Sequence, residues 1–228
     1  MKEITAQMGN RSIVGGDLKV IVRVSFADSL MEAASTSAFS KYVRDLASNG
    51  KLHEYIPEFD RCETVTHVGT NFHHGESVLE HTLEVLDRLD KVEGTYGITV
   101  PPIVKIAGLF HDIGKPDTLS MRDGKATFYG HDAVGSRMLG DIMARLGFDH
   151  VDIETVEKLV QYHMRAFAFK PETSDNVAKS MTDRKRERDG VAQYAPLVLL
   201  INYADHGDTV YLEASKLAAD MMSLRIKR

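Results

Sequence analysis

The run Phe110-His111-Asp112-Ile113-Gly114-Lys115-Pro116 sets an imidazole beside a carboxylate at the end of an apolar stretch that Pro101-Pro102 opens. Ile103, Val104, Ile106, Ala107 and Phe110 give that stretch the stripe of a buried helix, with Gly114 and Pro116 as its stop. The pair therefore stands at a helix mouth. An ionised carboxylate in such apolar surroundings is costly unless it is paired or coordinated, so the fold must bring compensation to this point.

Four other apolar stripes carry residues of the same kind. A helix beginning near Ser77 has Val78, Leu79, Val85, Leu86 and Leu89 on one face, and His81 beside them points inward. His131 starts the helix of Val134, Met138, Ile142 and Leu146, and His163 falls one turn beyond Ile153, Val156, Leu159 and Val160. Asp205 extends the stripe of Leu197, Val198, Leu200, Ile201 and Ala204. Any one inward histidine is most simply a hydrogen-bonded core residue. One metal site shared by His81, His111, Asp112, His131, His163 and Asp205 accounts for all of them together. Nitrogen and oxygen ligands of this kind suit a divalent transition metal, Mn, Fe, Co, Ni or Zn, with Mg an option where water completes the shell.

The remaining segments read as a mainly α chain. Leu18–Ser25 alternates β-branched residues and predicts a short strand or hairpin arm. Met31–Ser48 reads as one helix closed by Asn49-Gly50, and Leu52–Glu63 as a short helix and loop around Pro57. Asp123-Gly124 predicts a turn between two extended pieces, Asp183–Asp189 a solvated charged face, and Tyr211–Ile226 a last helix. A length of 228 residues suits one domain, and no apolar run reaches the ~20 residues of a membrane span. A net charge of −5 argues against general polyanion binding, leaving a nucleotide or an RNA end as compatible partners. The single Cys62 and a start without an apolar leader point to a reducing cytoplasm.

His81, the His111-Asp112 pair and the distal Asp205 resemble the HD superfamily of metal-dependent phosphohydrolases. Within it, Val78-Leu79-Glu80-His81-Thr82, His111-Asp112-Ile113-Gly114-Lys115-Pro116, Phe128–Gly135, His163-Met164-Arg165 and Ala204-Asp205-His206-Gly207 are similar to the HD domain of bacterial CCA-adding tRNA nucleotidyltransferases. The similarity runs from about Phe39 to Gly207, and Leu52–Phe59 is similar to the segment before that domain. It implies a helical bundle around a metal centre over residues 39–228, with an N-terminal appendage, a short strand and helix, over 1–38. Gly15-Gly16 is faintly similar to the nucleotidyltransferase head. No paired acids follow it and that domain has no room here, so CCA addition is not expected.

What the resemblance implies is hydrolysis of a phosphomonoester or a phosphodiester, 2′,3′-cyclic phosphates included. His81, His111, Asp112 and Asp205 would hold one ion, with Asp112 bridging to a second held by His131 and His163. Asp112 and Lys115 would be catalytic, and Lys115 and Arg165 would bind the substrate phosphate of a nucleotide or RNA end. A deoxynucleotidase or nucleoside triphosphohydrolase, an HD-type di-iron oxygenase and a noncatalytic nucleotide sensor are the alternatives. His73, His74 and His206 are expected at the surface or supporting the ligands. The sequence gives no expectation for oligomeric state.

Overall fold

The computed structural model describes residues 5–8, 11–14, 19–21, 25–68, 75–168 and 173–226. Gly15-Gly16, His73 and His74 lie outside them. Three short strands, β1 (Thr5–Met8), β2 (Arg11–Val14) and β3 (Lys19–Ile21), pair antiparallel in that order. The expected strand is thus the third of a small sheet, and of its residues Leu18 and those from 22 to 24 lie outside the described ones.

The helix expected over Met31–Ser48 is two, α1 (Phe26–Ala34) and α2 (Phe39–Ser48). Two side chains explain the break: Ser35 Oγ donates to the Met31 carbonyl at 2.8 Å and Thr36 Oγ1 to that of Ala33 at 2.8 Å, competing with the helical ladder. The new helix start at Ala38 has no side-chain cap of its own. Asp90, fifty residues away, accepts from the Ser40 N–H at 2.7 Å instead. Its other oxygen pairs with buried Lys105 at 2.7 Å, and Lys105 also donates to the Thr36 carbonyl. A buried ion pair with its remaining valences satisfied in this way holds the break in place.

Gly50, at a φ of 76°, follows α2, and α3 (Lys51–Tyr55) and α4 (Phe59–Thr64) flank Ile56-Pro57-Glu58. A reciprocal cap between Ser77 and Glu80 starts α5 (Val78–Tyr96). Pro102 opens α6 (Pro102–Phe110), as its sequence requires. Pro116 does not stop that helix but enters the first turn of a one-turn α7 (Lys115–Thr118) after the turn of His111 to Gly114. Strands β4 (Ser120–Arg122) and β5 (Lys125–Thr127) close on Asp123-Gly124, both at positive φ, the geometry of a two-residue hairpin.

The rest is helical: α8 (His131–Leu146), α9 (His150–Tyr162), a 3₁₀ segment His163–Ala168, α10 (Ser174–Met181), α11 (Arg184–Arg188), α12 (Ala195–His206) and α13 (Val210–Ile226). Lys185, Glu187 and Arg188 on α11 are exposed, as a solvated face requires. Helix α10, capped by Thr173, had no counterpart in the sequence reading. Helices α5, α6, α9 and α12 pack together around Leu86, Leu89, Ile106, Leu109, Phe110, Leu159 and Val198, and α1 adds Ala27, Leu30 and Ala34 to the same core. No helix among the described residues is long and apolar enough to cross a membrane.

Two glycines set the approach of these helices. A Cβ on Gly108 would meet Leu89 Cδ1 of α5 at 2.8 Å, and one on Gly114 would meet the backbone, His131 O at 2.3 Å and Gly135 N at 2.5 Å. The second contact cannot be relieved by a rotamer change. Gly114→Ala is therefore expected to cost about 3 kcal/mol or more and to lower the thermal midpoint by roughly 6–12 °C. Gly140, in the middle of α8, would meet only the flexible Glu157 carboxylate at 3.1 Å. Gly140→Ala should leave stability unchanged or raise it by up to about 1 kcal/mol, so paired thermal melts of the two variants check the packing.

Candidate metal centre

His81 projects from the first turns of α5, His111 caps the C-terminus of α6, and Asp112 follows it. His131 begins α8, His163 caps the C-terminus of α9, and Asp205 is the penultimate residue of α12. The structure brings all six together, and each is buried or nearly so. They form two adjoining groups, His81, His111 and Asp205 in one and Asp112, His131 and His163 in the other, with the donor atoms of each group within 4.8 Å of one another. Asp112 joins them: its Oδ2 lies 3.2 Å from His111 Nε2 and 3.7 Å from His81 Nε2, while its Oδ1 lies 3.2 Å from His131 Nε2.

Second contacts fix which nitrogen faces the centre. The Nδ1 atoms of His111, His131 and His163 lie 2.8, 2.8 and 2.6 Å from the carbonyls of Gly108, Phe128 and Val160, each three residues earlier. A carbonyl only accepts, so each Nδ1 carries the proton and the neutral ring turns the lone pair of Nε2 inward. His131 Nε2 and His163 Nε2 then face each other at 3.1 Å, and His111 Nε2 is buried with no hydrogen-bond partner. Lone pairs converging on lone pairs need positive charge between them. A divalent transition metal meets that need with the imidazole and carboxylate ligands it prefers, so the residues present fit such an ion.

The electrostatics agree. Burial alone would raise the Asp112 pKa, but His111 and Lys115 hold it well below the ordinary carboxylate range. Asp205 is likewise held low against the effect of burial, by His206 Nδ1 at 3.2 Å and His81 Nε2 at 2.9 Å. Burial, reinforced by His131 and His111, pushes His163 down to about 3. His111 goes the other way: burial lowers it, yet Asp112 and Asp205 outweigh that and raise it.

Lys115 is no exposed helix end. It is 7% exposed, and its Nζ lies 2.6 Å from Asp112 Oδ2 as an ion pair whose angles fall outside those of a hydrogen bond. Arg165 is exposed on the 3₁₀ segment, and its side chain makes no ion pair or hydrogen bond among the described residues. His206 supports Asp205 from the end of α12.

Three residues that sequence reasoning passed over belong to the site. Arg88 donates from α5 to the carbonyls of Ala204 and Asp205 at 2.7 and 3.0 Å, fixing the end of α12. Asn202 donates to the His163 carbonyl at 2.5 Å. Fully buried His67 places Nε2 2.9 Å from Lys115 Nζ. Arg88 lies about two turns beyond His81 on the same helix, a spacing that could have flagged it; His67, in an extended segment, carries no helical period.

The HD domain matches residues 78–209, more than half of the sequence and all six of these residues. This chain belongs to the HD family. The HD chain is 32% identical over 149 residues to an A-adding tRNA nucleotidyltransferase of Deinococcus radiodurans, covering 62% of this chain and 31% of that protein. It is 29% identical over 181 residues to a bifunctional uridylyltransferase/uridylyl-removing enzyme of Ruegeria pomeroyi, covering 71% of this chain and 18% of the relative. A protein of the same description from Cereibacter sphaeroides is 29% identical over 182 residues. The HD chain thus spans less than a third of the length of these relatives.

Two groups sharing one carboxylate predict separable metal occupancy. His131→Ala should lose the ion of the second group and His81→Ala that of the first, read as metal equivalents after dialysis against manganese or nickel. Asp112→Ala should weaken both. Metal uptake should also depend on pH through His111. Its raised pKa keeps it protonated to higher pH in the metal-free protein, and a metal must displace that proton. Affinity of the first group is therefore expected to fall as pH drops through that raised value, with a proton released as that group fills, whereas His163 in the second group is already neutral. Calorimetry in buffers of different ionisation enthalpy measures both.

Proposed function

We propose that this HD chain is a metal-dependent phosphohydrolase that cleaves a phosphate ester of a nucleotide or RNA end, a phosphomonoester or a 2′,3′-cyclic phosphodiester. The observation that carries the reading is a buried ammonium, Lys115, set against the carboxylate shared by two groups of inward-facing imidazoles. His81, His111, Asp112 and Asp205 would hold one divalent cation, and His131, His163 and Asp112 a second. When bound there, the cation supplies Lewis-acid charge for a phosphoryl oxygen and acidifies water.

The protein's own groups do the rest. Asp112 and Asp205 stay ionised at any ordinary pH, so they remain available as anionic ligands. The Nδ1 contacts to backbone carbonyls hold the imidazoles in one orientation, so the site needs little reorganisation when charge develops on the phosphate. Lys115 has three N–H groups; one is directed at His67 and Asp112 holds the ammonium as an ion pair, leaving N–H capacity for a phosphoryl oxygen. Exposed Arg165, two residues from His163, is the proposed second contact to the substrate phosphate. The relatives named for tRNA nucleotidyl transfer and for uridylyl removal support a nucleotidyl group in the substrate.

A second reading, a di-iron oxygenase, is favoured by the completeness of the second group. Iron-dependent oxygen uptake with substrate, and no phosphate release, would select it. The main test is metal analysis joined to a screen of 2′-, 3′- and 5′-nucleotides, cyclic nucleotides, dinucleotides, triphosphates and uridylylated protein. Phosphate or nucleotide release that depends on added metal is expected. Asp112→Ala and His111→Ala should abolish it. Lys115→Ala should lower kcat/KM by roughly 10- to 100-fold, the worth of one charged hydrogen bond of about 1.5–3 kcal/mol. Wild-type turnover in Asp112→Ala would refute the mechanism.

A further inference from the structure

His67 lies outside both groups of ligands, yet it is fully buried at the edge of the centre. Its backbone is clamped from two sides. The His67 N–H donates to the Glu76 carbonyl at 3.1 Å, Val78 N to the Val65 carbonyl at 2.9 Å, and Ala126 N to the Val68 carbonyl at 2.9 Å. Thr66 and Ser77 form an antiparallel bridge, so the short extended segment is held between the start of α5 and strand β5. The ring is fixed as well, edge-on to His81 and to Phe128 with centroids 5.5 Å away in each case.

The hydrogen bonds then have only one direction. Nδ1 faces the Glu76 carbonyl at 3.2 Å, which can only accept, so Nδ1 carries the proton and Nε2 the lone pair. Lys115 Nζ, 2.9 Å from that lone pair, can only donate. The same ammonium lies 5.4 Å from the centroid of Phe128 and 2.6 Å from Asp112 Oδ2. A core histidine kept for packing has no need to aim its lone pair at a buried cation.

We propose that His67 is a positioning residue for Lys115. An N–H on His67 and the ion pair with Asp112 hold two sides of the ammonium, and together with the Cε bond they leave one side open to a substrate. His67 thereby keeps the ammonium from collapsing wholly onto Asp112, whose oxygens the ligand imidazoles also face. It acts on the reaction only through Lys115. The part of this inference that concerns turnover rests on the phosphohydrolase reading; the part that concerns Lys115 does not.

The test separates the two. Lysine-directed acylation of the metal-loaded protein, followed by mass spectrometry, measures how firmly the Lys115 amine is held and needs no substrate. His67→Ala should speed Lys115 labelling several-fold with the metal complement unchanged. His67→Gln, whose amide can accept from Lys115 and donate to the Glu76 carbonyl, should restore slow labelling. In turnover, His67→Ala is expected to lower kcat/KM about tenfold, in the range of other residues that orient a metal site. In a Lys115→Ala background it should change kcat/KM less than about twofold, because the two residues act as one unit. Wild-type labelling in His67→Ala, loss of metal in that variant, or an equal loss of kcat/KM with and without Lys115 would each overturn the proposal. Absence of hydrolysis by the wild-type protein would overturn the functional reading alone, with the labelling result still deciding the role of His67.

Discussion

Three helices end where positive charge is required. The C-termini of α6, α9 and α12 are marked by His111, His163 and Asp205, and each leaves carbonyls pointing out of its last turn. Aligned peptide dipoles place about half a negative charge at each such end, and the field falls off within a turn. The carboxylates of Asp112 and Asp205 stand in that same space, both held in their anionic form. Without a cation the arrangement is a concentration of like charge and facing lone pairs. With one, the helix ends, the acids and the imidazoles all act in the same sense.

The polar contacts outside the centre follow from keeping those helix ends in register. Arg88 reaches from α5 to the last carbonyls of α12, so the helix that carries His81 also positions Asp205. Asn202, one turn before Asp205, holds the carbonyl of His163 and so ties α12 to the end of α9. Gly108 admits α5 against α6 and lends its carbonyl to His111; Gly114 admits the start of α8 and with it His131. Each of these residues links two ligand-bearing elements. Large apolar side chains supply the cohesion of the core, whereas this small set of contacts supplies its alignment.

Much of this was legible because burying a ligand forces a helix to look apolar up to the ligand and then stop. The stripes ending at His111, His163 and Asp205 are that pattern, with Pro102 marking the start of α6 and Gly207 the end of α12. Where a non-local partner decides the structure, the pattern fails. The break between α1 and α2 depends on Asp90 capping from another helix, which a stripe running from Met31 to Ser48 cannot reveal. Lys115 lies on no apolar stripe, and its burial follows only because Asp112, His67 and Phe128 surround it. His67 itself sits in a short extended segment whose neighbours, the start of α5 and strand β5, are nine or more residues away. Residues placed by period were found; residues placed by a neighbour's chemistry were not.

Charge also constrains how many ions and what substrate the centre can take together. Asp112 and Asp205 contribute two negative charges and Lys115 one positive, so with the imidazoles neutral, as metal ligands must be, the contacting groups carry one net negative charge. One divalent ion reverses that to a single positive charge, tolerable in a pocket edged by three helix C-termini. A second ion leaves an excess of three positive charges in a buried volume, a costly state unless an anion enters with it. A phosphomonoester brings about −1.5 to −2 charges at neutral pH, enough to offset roughly half to two-thirds of that excess. On this argument the group of His131, His163 and Asp112 is expected to be the weaker of the two in the free protein and to gain affinity when a phosphate binds. The same sum disfavours a neutral substrate for a doubly loaded centre, so an anionic ligand and a second ion would each favour the binding of the other.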